Sequence, residues 1–145
     1  MLLALSLSLA AAVPVITLER TACYGTCPAY TVTIFDDGTV VYEGKEFVKQ
    51  KGKAKSRITK AALDELVREF DRINYFSLDD YYVDGPKNCP ESWTDQPSAT
   101  TSLSWKGRTK KVEHYYGCRG LPILDQLSAL ERKIDEVVNS KRWIE

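Results

Sequence analysis

Two cysteines four residues apart are the first feature of this chain that could do chemistry. They stand in Cys23-Tyr24-Gly25-Thr26-Cys27, with Pro28 directly after. A redox-active dithiol needs a depressed thiol pKa, usually from two intervening residues at a helix N-terminus. Here three residues intervene and an alternating strand follows Pro28, so the pair reads as a structural clip. Cys89 and Cys118 bring the cysteines to four, an even number that reads as two disulfides in an oxidising compartment. Three pairings are possible. The most local, Cys23–Cys27 with Cys89–Cys118, is the expected one. Zinc is the sharper alternative, but Cys-x3-Cys followed by two widely spaced cysteines does not match ribbon or finger spacing.

The single histidine, His114, is the only imidazole available for acid–base work. With Asp95, Glu113 or Tyr116 beside it, it could serve as a general base. Two enzymatic readings follow: a thiol redox protein using Cys23 and Cys27, and a small hydrolase using His114 and Asp95. No Gly-x-Ser-x-Gly, His-Glu-x-x-His or phosphate loop accompanies these residues, and no pattern calls for a metal or cofactor. Binding is therefore the leading expectation. Tyr24, Tyr81, Tyr82 and Trp93 lie on loops, with Tyr115 and Tyr116 on a nearby strand. Exposed aromatic side chains of this kind contact proteins, glycans or other small molecules. With Asp95 and His114 they form the candidate contact surface. The bland alternative is that they cover the sheet ends and pack on sulfur.

Lys49, Lys51, Lys53, Lys55 and Arg57 fall on every second residue. In an extended strand all five would share one face. Such a stripe could bind a polyanion or an anionic membrane surface. It equally suits an edge strand kept from pairing with other chains by its charges. The formal net charge is zero, which argues against nucleic acid as the main partner.

Positioning these residues requires the following elements. Ile16, Leu18 and Arg20 alternate against Thr17, Glu19 and Thr21 as a half-buried strand. Tyr30, Val32 and Ile34 give one face of a second strand, and Asp36-Asp37-Gly38 turns it into a third, Thr39 to Glu43. Thr59 is a candidate N-cap for a helix from Lys60 to Asn74, with Leu63, Leu66, Val67, Phe70 and Ile73 on its apolar side. Asp79 to Pro97 reads as a long loop with Cys89 as its staple. Ser98 to Trp105 and Arg108 to Tyr116 form a further hairpin. Pro122 opens a last helix with Leu124, Leu127, Leu130, Ile134 and Val137 as its stripe. The order β-β-β-β-α-β-β-α implies an α+β fold, a twisted antiparallel sheet with two helices packed on one face.

With 145 residues, 43% of them hydrophobic, residues 13–145 suffice for one domain with a real core. Residues 1–12, apolar and ending in Ala10-Ala11-Ala12, resemble a truncated secretory signal that lacks its positive start. They are too short to span a bilayer. Secretion or delivery to a periplasm is the location that follows.

The chain resembles an uncharacterised bacterial family, domain of unknown function 6438. The likeness rests on Cys23-Tyr24-Gly25-Thr26-Cys27-Pro28-Ala29-Tyr30 and on Ile34-Phe35-Asp36-Asp37-Gly38-Thr39-Val40-Val41-Tyr42-Glu43-Gly44. It continues in the helix ending near Phe70, in Thr94-Asp95-Gln96-Pro97 and in Ile134-Asp135. It implies an exported protein, and no activity or site residue comes with it. Cys89 and Cys118 look like additions to the family pattern, which favours their pairing with each other.

Overall fold

The computed structural model describes residues 10–145, so most of the expected export signal lies outside the described residues. Four strands run first: β1 (Pro14–Arg20), β2 (Ala29–Phe35), β3 (Thr39–Glu46) and β4 (Gly52–Arg57). Helix α1 (Lys60–Arg72) follows, with the Thr59 side chain accepting from the Ala62 N–H at 3.0 Å as its cap. The segment expected to be a long loop carries three short elements: β5 (Tyr81–Tyr82), α2 (Gly85–Asn88) and β6 (Glu91–Ser92). Two-residue strands have no periodicity to read, and their pairing depends on partners far along the chain. Then come β7 (Ser98–Trp105), β8 (Arg108–Tyr115), β9 (Cys118–Arg119), α3 (Pro122–Val138) and α4 (Lys141–Ile144).

Seven strands form one sheet in the order β4-β3-β2-β1-β7-β8-β5, and β6 pairs with β9 in a two-stranded ribbon. All pairs are antiparallel except β5 with β8. This is the mixed α+β architecture expected. Directly opposed residues share a sheet face, so Ile16, Leu18, Val32, Ile34, Val40, Tyr42, Leu103 and Val112 point together into the core. Leu63, Leu66, Val67 and Phe70 of α1 and Leu124, Leu127, Leu130 and Ile134 of α3 close over that same face. Each fully buried aliphatic or aromatic chain contributes about 1.5–3 kcal/mol. Trp143 of α4 folds back and stacks on Tyr42 at 4.8 Å.

The lysine stripe needs correction. Lys49 and Lys51 precede β4, in a turn that passes through Phe47 at φ 54° and Gly52 at φ 82°. A chain reversing at positive φ cannot continue the strand period, so the five cations do not form one extended row. Lys53, Lys55 and Arg57 do alternate on β4, which is an outer strand of the sheet. They lie on the face away from the helices, since Ala54 opposes Tyr42. Lys53 stands opposite Glu43, and Arg57 donates to Asp37 O at 3.0 Å.

Cys23 is bonded to Cys27 and Cys89 to Cys118. The second bridge closes the longer loop, a sequence separation of 29 against 4. In the chain-entropy picture it contributes about 3–4 kcal/mol and the short one about 2 kcal/mol. Cys89→Ala with Cys118→Ala is therefore expected to lower the urea midpoint more than Cys23→Ala with Cys27→Ala. Equal midpoints for the two double variants would contradict this ordering.

Candidate functional site

The strand period decides where the aromatic residues go. In β5, Tyr81 and Tyr82 point to opposite faces: Tyr82 is 6% exposed and Tyr81 62%. Tyr82 accepts from the Asp79 N–H through its hydroxyl at 3.1 Å and belongs to the core, so it is not a contact residue as expected. Tyr81 stands beside Glu113 on the far outer strand. Tyr24 and Trp93 are the two exposed aromatics that share an end of the sheet with Asp95. Tyr24, 89% exposed, sits inside the Cys23–Cys27 loop and donates its backbone N–H to Asp95 O at 3.3 Å. Trp93 donates its N–H to Gly117 O at 2.8 Å, and its carbonyl accepts from the Tyr115 hydroxyl. A side chain on Gly117 would begin 2.1 Å from that carbonyl, so only glycine lets the two segments meet. Trp93 thus remains 61% exposed on backbone that is held at both ends.

The second constellation lies under α3. His114 is 2% exposed, on the inward face of β8 next to Val112. Asp95 is exposed on its loop and is not its partner; Glu113 points to the opposite face of the strand. His114 Nδ1 lies 3.0 Å from Glu131 Oε2 and 3.2 Å from Oε1. Glu131 is fully buried in α3, and its Oε1 also accepts from the Tyr116 hydroxyl. Tyr116 stacks on the imidazole at 4.6 Å and accepts from Arg20 Nη1 at 3.2 Å. Arg20 continues the chain to Asp135, with Nε 2.9 Å and Nη2 2.8 Å from Oδ2. Asp135 Oδ1 accepts from Tyr30 at 2.7 Å and from Ser140 at 2.6 Å. A line of polar side chains thus joins β8, β1 and β2 to α3.

Its electrostatics follow from burial and neighbours. Burial alone would lower the Arg20 pKa. Asp135, with the Tyr116 and Tyr30 phenols, outweighs it, and the guanidinium is held more firmly protonated than usual. Burial first, and the Glu131 carboxylate second, push the Tyr116 phenol up to about 12. Burial and then Asp135 raise Tyr30, and burial raises Tyr75.

Each end of the line meets a surface cleft. One, of about 320 Å³, is lined by His114, Tyr116, Cys118, Arg119, Asp125 and Ser128, with Leu121 and Leu124 as apolar walls. The other, of about 290 Å³, has Arg20, Tyr30 and Asp135 beside Cys27 and Pro28. Sequence reasoning placed Arg20 on the buried face of its strand without asking for its partner. Glu131 and Asp135, one helical turn apart within the Leu127, Leu130 and Ile134 stripe, were the matching signal.

A family model matches residues 14–138, from the start of β1 to the end of α3. The chain belongs to the domain of unknown function DUF6438. The match spans both disulfides, Arg20, His114, Glu131 and Asp135, so in this DUF6438 member the polar line and the clips fall inside the family region. No curated protein matches the chain.

The raised phenols set an alkaline limit. A phenol whose pKa is higher in the folded state than its ordinary 10.0 keeps its proton after the unfolded chain has lost it. Stability is therefore unaffected by these groups below about pH 10, and falls from there to about pH 12, by on the order of 2 kcal/mol from Tyr116. Urea unfolding across this range checks it. Tyr116→Phe is expected to flatten the slope, although it starts about 1–3 kcal/mol less stable because Glu131 loses a donor.

Proposed function

We propose that this DUF6438 member is an exported, disulfide-stapled binding domain, 13–145, that engages a macromolecular partner through Tyr24, Trp93 and Asp95. The observation that carries this reading is the presentation of two largely exposed aromatic rings on backbone that is already fixed. Exposed aromatics are costly to keep in water, and those on rigid segments lose little conformational freedom on binding. Tyr24 rides on a closed disulfide loop, and Trp93 is bonded on both sides of its peptide unit. Asp95 adds a charge at the rim, where it orients a partner more than it adds affinity.

Two disulfides are compatible with an extracellular or periplasmic location. No described helix is long and apolar enough to cross a membrane. The zero net charge keeps nucleic acid off the list of favoured partners. A polyanion or anionic membrane surface is less favoured as well. The stripe is interrupted at Gly52, and Lys53 and Arg57 already face polar partners on β3 and its turn.

The test compares protein captured from envelope extract by the native chain and by Tyr24→Ala and Trp93→Ala variants. Both variants are expected to lose the captured partner by tenfold or more, about 1.4 kcal/mol, with melting curves unchanged. Tyr82→Ala should behave in the opposite way and lower the melting temperature, because it opens a core cavity. Undiminished capture by the Trp93 variant would falsify the assignment of this surface.

A further inference from the structure

A second candidate site lies on the helix-covered face of the sheet, at the same end of β8. The His114 imidazole is held by Glu131 through Nδ1 and by the stacked Tyr116 ring. Its second nitrogen, Nε2, has no hydrogen-bond partner among the described residues. Nor is it sealed in: among the described residues the one fully buried side-chain polar atom without a partner is Ser56 Oγ, on β4 far from this cleft. His114 lines the 320 Å³ cleft at the start of α3. A buried, oriented imidazole with one free nitrogen at a cleft is a hydrogen-bonding group waiting for a ligand.

The walls say what kind of ligand. Arg119 and Asp125 both line the cleft and neither makes an ion pair in the described residues. Ser128 adds a hydroxyl, and Leu121, Pro122 and Leu124 add apolar surface. The Cys89–Cys118 bridge and the β6–β9 ribbon hold Arg119 in place, and Gly120, at φ 98°, passes close over Pro90. Opposite charges in one cleft disfavour a simple anion or a simple cation. Hydroxyl groups suit all of these walls. A hydroxyl accepts from Arg119, donates to Asp125, does either with Ser128, and satisfies Nε2 whether or not the imidazole carries its second proton. The C–H face of a pyranose ring suits the leucines. The volume is at the small end for ligand sites and matches one sugar ring rather than a chain.

We propose that this cleft binds a single sugar residue, with His114 Nε2 at the floor and Arg119, Asp125 and Ser128 bonding its hydroxyls. None of Tyr24, Trp93 and Asp95 lines this cleft, so the proposal does not rest on the aromatic surface.

The single histidine makes the test direct, because its ring gives one set of nitrogen resonances. Protein labelled with 15N-histidine is titrated with glucose, galactose, mannose and N-acetylglucosamine, each free and as its methyl glycoside, to about 50 mM, since one sugar ring binds with a Kd on the order of 1 mM. At least one sugar is expected to shift the Nε2 resonance saturably. Equal binding of its methyl glycoside identifies a sugar within a glycan, and loss of binding identifies a free monosaccharide. Arg119→Ala and Asp125→Asn, both on the exposed rim, should each weaken binding about tenfold with the fold intact. Tyr24→Ala and Trp93→Ala should leave it unchanged. The proposal is overturned if no sugar moves Nε2, if phosphate or acetate moves it and no sugar does, or if the rim variants bind as the native chain does. Binding lost with Trp93→Ala alone would also overturn it, by moving the sugar to the aromatic surface.

Discussion

The packing of α3 on the sheet depends on two carboxylates turned toward the sheet, Glu131 fully buried and Asp135 mostly so. Glu131 and Asp135 lie one turn apart in a stripe that otherwise presents leucine and isoleucine to the core. Each must find donors on the sheet, and each finds them on a different strand: His114 and Tyr116 at the end of β8, Arg20 on β1, Tyr30 on β2. Arg20 touches both groups, directly at Asp135 and through the Tyr116 hydroxyl at Glu131. Ion pairs of this kind contribute little net stability compared with well-packed apolar residues, because desolvation offsets most of the attraction. Their geometry is nonetheless demanding. A helix rotated by one residue or slid by one turn would leave a buried carboxylate without donors, at a cost of several kcal/mol. The polar line therefore selects one docking of α3 among many that leucines alone would tolerate.

The two disulfides do a different job. Neither joins strands of the main sheet. Each holds a segment with too few backbone bonds to hold itself: the Tyr24 loop in one case, the stretch from Asp79 to Pro97 in the other. The Tyr24–Trp93 surface is built on those segments and is supported by Tyr115 and Gly117, while the cleft is lined from His114 of β8, from β9 and from the start of α3, with the second disulfide fixing Cys118 in its wall. One strand end thus serves both sites, one on each face of the sheet.

Much of this was legible in the residues. The period-2 strands, the Asp-Asp-Gly turn, the Thr59 cap and both amphipathic helices follow from local pattern, and local pattern is where these elements get their register. What pattern could not give is what depends on distant partners. The strands β5, β6 and β9 are too short to have a period, and exist only because β8 and the second disulfide are already in place. Tyr81 and Tyr82 were read together, although consecutive residues of a strand face opposite ways. Of the neighbours expected for His114, Tyr116 does stack on it, but its carboxylate is neither Asp95 nor Glu113; it is Glu131, in the apolar stripe of the last helix. Arg20 was the missed clue. A charge on the buried face of a strand calls for an opposite charge elsewhere on a buried face, and α3 offers two.

The place of β1 in the sheet has a consequence for how the chain reaches this structure. The first of the described strands in chain order is the central one, flanked by β2 on one side and by β7 on the other. The pairing with β2 is local, but Ile16 meets Leu103 only after most of the chain is available. A chain threaded through a membrane pore from its N-terminus would assemble the meander β1 to β4 early and hold the free edge of β1 open until β7 emerged. Such non-local pairing slows folding and leaves an adhesive edge during the wait. For a chain made or delivered in that order, protection of the edge, rather than the strength of any single contact, would then govern how much of it ends up folded.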